Sequence, residues 1–218
     1  MPTESKAAKQ ARGHAIIERL AELYPDAKCS LDWTTPLDLL VATVLSAQCT
    51  DARVNQVTPT LFARFRSAAD YAEATTEEME TAIRSINFFR NKARSLIGIG
   101  QALEARHGGE VPSEMDALLA LPGVGRKTAN LVRGVVFGAT EGVVVDTHVG
   151  RITRRLQLTH HEDPDRIEQD LLLLIAPEGR IVFTDRVIAH GRSVCDARKP
   201  LCSACALSDL CPSFAQAA

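Results

Sequence analysis

The sequence predicts an all-α fold with about ten helices. Three observations carry this. Apolar residues recur with the helical period along most of the chain. Strand-like alternation is nearly absent, and helix starts and stops are marked by capping residues and glycines. Thr35-Pro36-Leu37-Asp38 places a capping hydroxyl before a proline at the first helical position, with an acid three residues after the cap. Asn91 to His107 reads as a helix ended by Gly108-Gly109. Ser113-Glu114-Met115-Asp116 repeats the capping logic after Pro112. Gly142-Val143-Val144-Val145 is the one strand-like run. Asp163-Pro164 opens a helix running through Leu171–Ile175, and Phe183 to His190 forms another, stopped by Gly191. The stretch Gly138–Gly142 reads as a hinge between two helical lobes.

With 218 residues, 45% of them hydrophobic, the chain can bury one good core or two small ones. The 24% charged content is that of a globular chain and excludes a disordered one. The net charge of −2 excludes a polycation, but charge is unevenly spread. Between Pro122 and Arg155 stand six cations (Arg126, Lys127, Arg133, Arg151, Arg154, Arg155) against two acids, Glu141 and Asp146. The stretches Glu73 to Glu80 and Glu162 to Glu178 are acidic. A near-neutral protein with one basic face can hold a phosphate backbone, and a mixed, solvated surface is the other reading. The apolar run Leu37 to Cys49 contains Asp38 and is too short to span a bilayer. Met1 to His14 is polar and shows no secretory signal. A cytoplasmic protein with reduced thiols is the expectation, nucleoid-associated if bacterial.

Cys195, Cys202, Cys205 and Cys211 fall within 17 residues, with six, two and five residues between them. Four thiolates this close suit an iron–sulfur cube or a structural zinc. Only Cys202 and Cys205 form a close doublet, so one loop wrapping one polynuclear cluster fits better than zinc. Two disulfides are the alternative for a secreted module. Cys29 and Cys49 read as buried small apolar residues. Arg198 and Lys199, between the cysteines, either face a phosphate or offset a cluster's negative charge.

Leu121-Pro122-Gly123-Val124-Gly125-Arg126-Lys127-Thr128 links two helices. Its glycines permit a tight turn and close approach by a ligand. The amides of the following helix start then suit a phosphate, although a plain interhelical turn would read the same way. Lys127 falls in the first helical turn, where the positive helix end and partial burial would disfavour its ammonium form. It is a candidate nucleophile, or a surface lysine on phosphate. Asp146 follows an apolar run and precedes Val149, Ile152 and Leu156, a core face at helical spacing. Helix capping alone explains an aspartate there; a carboxylate so held can also stabilise a cationic sugar or take a proton.

These features, in this order, resemble the endonuclease III family of the helix–hairpin–helix DNA glycosylase superfamily. The matching segments are Leu45-Ser46-Ala47-Gln48-Cys49-Thr50-Asp51, the hairpin with Lys127, Val145-Asp146-Thr147-His148, His190-Gly191-Arg192 and the four cysteines. They span roughly Ile16 to Cys211. The resemblance implies two helical lobes with a DNA cleft between them. Residues 29–140 would form a six-helix barrel lobe carrying the helix–hairpin–helix, and residues 1–28 plus 141–218 a lobe holding a 4Fe–4S cluster on Cys195, Cys202, Cys205 and Cys211. It implies a bifunctional glycosylase and abasic-site lyase that removes oxidised pyrimidines in base excision repair and cuts 3′ to the abasic site by β-elimination. Lys127 is similar to the family's attacking lysine, and Asp146 to its catalytic carboxylate. Gln48 is similar to the residue that fills the gap left by an extruded base, and Phe88 occupies the place of its intercalating wedge. Gly123, Gly125, Arg126, His148, Arg192, Arg198 and Lys199 would join Gln48 and Phe88 in binding DNA. The expected partner is double-stranded DNA with damaged pyrimidines or abasic sites, bound by a monomer with no membrane involvement.

One departure stands out. The family often has a glycine and an aliphatic residue where this chain has Asn87-Phe88. Apolar side chains of several kinds can prise a base step apart, so extrusion is expected to survive, while damage range and opposite-base preference can change. Phe88 and Phe89 could also be core residues of the following helix. Rival functions are a pyrimidine-dimer or mismatch glycosylase of the same superfamily, and a non-catalytic DNA-binding protein with a redox-sensing cluster. The second would not need Lys127 and Asp146 together.

Overall fold

The computed structural model describes residues 4–214; among these the chain is helical and has no β-strand. Residues 1–3 and 215–218, which belong to the expected terminal lobe and in part to the Met1–His14 stretch, lie outside the described residues. Eleven α-helices are present among the described residues: α1 (Lys6–Leu23), α2 (Pro36–Ser46), α3 (Asp51–Arg64), α4 (Ala68–Glu73), α5 (Thr76–Ala82), α6 (Phe89–His107), α7 (Met115–Leu119), α8 (Arg126–Phe137), α9 (Thr147–Arg155), α10 (Pro164–Leu172) and α11 (Arg180–Ser193). They sort into two compact units. One is Ser30–Gly138, and the other joins the chain before Ser30 to the chain after Gly138.

The Ser30–Gly138 unit is built around α2, where Leu37 and every residue from Leu39 to Leu45 are buried. Asp38 escapes burial because it closes the capping box: its amide donates to Thr35 Oγ1 (3.1 Å) and its carboxylate accepts from the Thr35 amide (2.9 Å). Thr50, Ser67 and Thr75 cap α3, α4 and α5, each accepting a backbone amide, and the last two close capping boxes as well. The long α6 ends where Gly108 turns left-handed, with the Gly109 amide donating to the Leu103 carbonyl at 3.1 Å.

In the other unit α1 packs with α9, α10 and α11 over a core of Ile16, Leu20, Val149, Ile152, Leu171, Phe183 and Val187. Asp163 caps α10, accepting the Arg166 amide at 3.1 Å, and Pro164 takes the first helical position. Arg12 of α1 donates to the Leu156 carbonyl at the end of α9, at 2.6 Å.

Four local expectations need correction. Ser113 does not cap α7: Glu114 stands at the cap position, and the Ser113 hydroxyl donates to the Glu114 carboxylate instead. Helix α10 stops at Leu172 rather than running on to Ile175. Gly191 does not stop α11, which continues to Ser193; it is a buried glycine inside the helix, where α9 comes close. The Val143–Val145 run forms no strand among the described residues. The Val143 amide donates instead to the buried carboxylate of Glu168 at 3.0 Å.

Candidate active site and cysteine cavity

The turn between α7 and α8 is held by amides of Leu121 and Val124 donating to the carbonyls of Leu118 and Leu121. Gly123 has φ +76, and a Cβ there would lie 2.7 Å from Ser95 Oγ, so the turn needs glycine. Gly125 has an ordinary backbone and open space above it. It precedes α8 without a side-chain cap, which leaves the first amides of that helix facing outward. Arg126 and Lys127 are both exposed on this first turn. Lys127 is thus not partly buried, as the sequence suggested; the helix presents its buried face through Ala129, Asn130 and Val132.

Asp146 caps α9, its Oδ1 accepting the Val149 amide at 2.8 Å. Sequence reasoning missed a second carboxyl beside it. Asp185, on α11, is pushed up to about 6, first by burial and then by the charge of Asp146. The neighbouring Thr184 hydroxyl donates to the Val144 carbonyl at 2.9 Å, which ties this part of α11 to the apolar run leading into Asp146. No local pattern around Asp185 marks it.

Gln48 and Phe88 are both exposed, and both have a left-handed backbone, with φ of 54° and 58°. Phe88 is 58% exposed at the start of α6, so it is not a core residue of that helix; Phe89 is half-buried beneath the Arg90 guanidinium. Asn87 Nδ2 donates to the Gln48 carbonyl at 2.7 Å. Beneath them Lys92 is buried, and its ammonium donates to the carbonyls of Leu45 (2.8 Å) and Ala47 (2.6 Å). Burial lowers its affinity for the proton.

Several cations of the basic stretch are engaged within the protein. Arg133 donates to the Ser113 carbonyl, and Arg151 to the Cys195 carbonyl. Arg155 donates to the carbonyls of Asp196 and Ala197, and Arg154 pairs with Glu162. Much of the local charge therefore satisfies carbonyls that end helices or turns. Arg192, Arg198 and Lys199 are exposed. The Asp196 carboxylate accepts the amides of Arg198 (2.8 Å) and Lys199 (2.9 Å), which fixes that loop. His148 is half-buried, with its Nδ1 3.2 Å from Arg151 Nη2.

Cys195, Cys202, Cys205 and Cys211 line one cavity of about 240 Å³, together with Ile152, Leu156 and Leu207. None of the four is in a disulfide. Among the described residues no three His, Cys, Asp or Glu side chains are grouped for a single metal ion. All four cysteines border the same cavity, whose volume leaves room for a polynuclear group. Burial pushes Cys205 and Cys211 up, so their thiolates need a cationic partner. Donors aim at the sulfurs: the Leu207 amide to Cys205 at 3.4 Å and Arg155 to Cys195 at 3.3 Å. His190 Nε2 lies 3.7 Å from the Cys205 sulfur, and its Nδ1 is 3.1 Å from the Tyr24 hydroxyl. This donor set fits an iron–sulfur cluster, where thiolate ligands are supported by outer hydrogen bonds. No helix among the described residues is long and apolar enough to cross a membrane.

Comparison with known proteins agrees with this geometry. Residues 41–177 match the model of the HhH-GPD superfamily base excision DNA repair proteins. The chain is 52% identical to endonuclease III of Synechocystis, covering 95% of this chain and 94% of that one. It is 38% identical to endonuclease III of Escherichia coli K12, covering 93% and 95%. Among solved structures it resembles a trapped endonuclease III–DNA covalent intermediate, with a TM-score of 0.91 and 41% identity over 95% of this chain and 98% of that one. A thermostable thymine-DNA glycosylase, at 20% identity and a TM-score of 0.86, shares the fold. The chain belongs to the endonuclease III family of HhH-GPD base excision DNA repair proteins.

Proposed function

We propose that this protein binds duplex DNA and acts as a bifunctional DNA glycosylase and abasic-site lyase. Its substrates would be oxidised pyrimidines, and the strand would be cut 3′ to the abasic site by β-elimination. The observation that carries the reading is the likeness to an endonuclease III captured in covalent linkage with DNA. Such a linkage needs a nucleophile, and Lys127 offers an exposed amine on the first turn of α8, beside the open backbone of Gly125.

In this reading the hairpin amides grip a phosphate, and Phe88 and Gln48 hold the damaged nucleotide out of the stack. A damaged base stacks weakly and costs less to extrude. The free amine of Lys127 attacks C1′, and the base leaves with the glycosidic electron pair. Asp146 stabilises the developing sugar cation or accepts a proton. The sugar ring then opens, the C1′–O4′ bond breaking as a proton passes to O4′, and the adduct becomes a Schiff base. This acidifies C2′, whose proton is lost to a base as the 3′ C–O bond breaks and the 3′ phosphate leaves. Arg126, His148, Arg192, Arg198 and Lys199 supply further DNA contacts, and the protein works as a monomer. Cys195, Cys202, Cys205 and Cys211 would hold a 4Fe–4S cluster, which supplies a rigid scaffold for the Arg198–Lys199 loop rather than chemistry at the sugar.

The test is borohydride trapping on duplexes carrying an oxidised pyrimidine or an abasic site. A covalent adduct is expected with the wild-type protein and none with Lys127→Ala. Absence of an adduct on every damaged duplex overturns the lyase reading. Metal analysis of the same preparation is expected to find iron, and zinc in its place overturns the cluster.

A further inference from the structure

Asn87 closes a ring of hydrogen bonds around the two residues read as inserting into DNA. Its Nδ2 donates to the Gln48 carbonyl at 2.7 Å. On the next residue, the Phe88 carbonyl accepts the Lys92 amide at 3.1 Å. The Lys92 ammonium returns to the Ala47 carbonyl at 2.6 Å, directly before Gln48. The circuit therefore runs Gln48, Asn87, Phe88, Lys92, Ala47 and back. It encloses two non-glycine residues in the left-handed region, a conformation that persists only where surroundings over-determine it. The buried side of the circuit is held by Lys92, and the exposed side by Asn87 alone of these side chains.

We propose that Asn87 is a positioning residue that locks Gln48 and Phe88 into one preset unit, so that wedge and gap-filling side chain enter the duplex together. This rests on the roles proposed above for those two residues. A glycine at position 87 would leave the Gln48 carbonyl without this donor, and each inserting residue would then have to find its conformation separately. Preorganisation of this kind lowers the cost of forming the extruded complex and leaves the chemistry at the sugar untouched.

The experiment compares two substrates. One is a duplex with an oxidised pyrimidine, which must be opened; the other is a single-stranded abasic oligonucleotide, which needs neither wedge nor gap filler. Asn87→Asp keeps the shape and loses the donor; Asn87→Gly loses the donor without adding charge. Both are expected to cut single-turnover excision on the duplex by roughly three- to tenfold, the worth of one net hydrogen bond. Both should leave strand cleavage of the single-stranded substrate unchanged, while the melting temperature falls by only about 2–4 °C, the same hydrogen bond being lost from the free protein. The losses from Asn87→Asp and Phe88→Ala should combine to less than their product, since both disable one unit. Unchanged duplex excision in both variants overturns the proposal, as does an equal loss on both substrates. A loss in Asn87→Asp alone also overturns it, because repulsion between the new carboxylate and phosphate would explain that result. Wild-type protein inert on both substrates overturns the functional reading as a whole; wild-type activity with indifferent variants overturns only the coupling.

Discussion

Asp185 is held beside Asp146, and burial together with that neighbouring charge pushes it up to about 6. The folded value lies above the ordinary carboxylate value of 3.8, so the neutral form is favoured in the native state. Its contribution to stability is complete below that ordinary value and is lost as pH rises through about 6. Asp185→Asn removes the ionisable group while keeping its size. The variant is expected to be more stable than wild type at about pH 8, by on the order of 1–2 kcal/mol after solvent screening. The two should converge below about pH 4, where both side chains are neutral. Urea unfolding across this range checks it, and a variant less stable than wild type at alkaline pH contradicts it.

Asp146 has two separable duties. As the cap of α9 it accepts the Val149 amide. Asparagine caps about as well as aspartate, but it cannot serve as an anion or a base. Asp146→Asn is therefore expected to melt at or slightly above the wild type, since it also relieves the repulsion on Asp185, and to lose base excision by roughly a hundredfold or more, within the usual worth of an acid–base group. Asp146→Ala should lose about 1 kcal/mol of stability in addition. If Asp146→Asn excises oxidised pyrimidines at the wild-type rate, capping is its whole role.

What is legible in the sequence is what is local. Thr35, Asp146 and Asp163 each accept an amide three residues on, so a short pattern announces them. The four cysteines fall within 17 residues and read as one site for the same reason. Ser113 carries the same local signal, yet its hydroxyl turns to Glu114, and two equally local options cannot be ranked by pattern. Asn87 and Lys92 find their partners 39 and 47 residues away, beyond any periodicity. Asp185 and Asp146 are brought together only by the packing of α9 and α11. A charge count likewise does not tell an arginine facing solvent from one, such as Arg155, turned to the carbonyls of Asp196 and Ala197.

Two glycines of the α9–α11 pair should respond oppositely to alanine. A Cβ on Gly191 would lie 2.7 Å from His148 Nδ1 and 2.8 Å from Ile152 Cδ1, so these side chains of α9 must give way. Overpacking typically costs about 1–3 kcal/mol, and the better helix propensity of alanine returns up to about 1 kcal/mol. Gly191→Ala is expected to be destabilising by about 1–2 kcal/mol. At Gly150 the nearest atom is Ile167 Cδ1 at 3.6 Å, an ordinary contact. Gly150→Ala should then stabilise by about 0.5–1 kcal/mol. Thermal melts of the pair decide the matter, and equal shifts of one sign contradict it.

The buried ammonium of Lys92 offers the sharpest test of how the Gln48 turn is supported. Lys92→Met keeps most of the apolar stem and removes both donors, which strands the carbonyls of Leu45 and Ala47. An unmet buried carbonyl costs about 1–3 kcal/mol. Only the Leu45 end is deeply buried; the exposed backbone at Ala47 can turn to water. Removing the charge also removes its desolvation cost, which opposes proton binding in the native state and trims the loss. The net destabilisation is therefore expected near 2 kcal/mol, well short of two full penalties. Because the carbonyl of Ala47 directly precedes Gln48, excision from duplex DNA should fall as well, while cleavage of a single-stranded abasic substrate should not. Urea unfolding and the two substrates measure both effects. A variant as stable as wild type shows that the carbonyls find other donors, and the support assigned to Lys92 then fails.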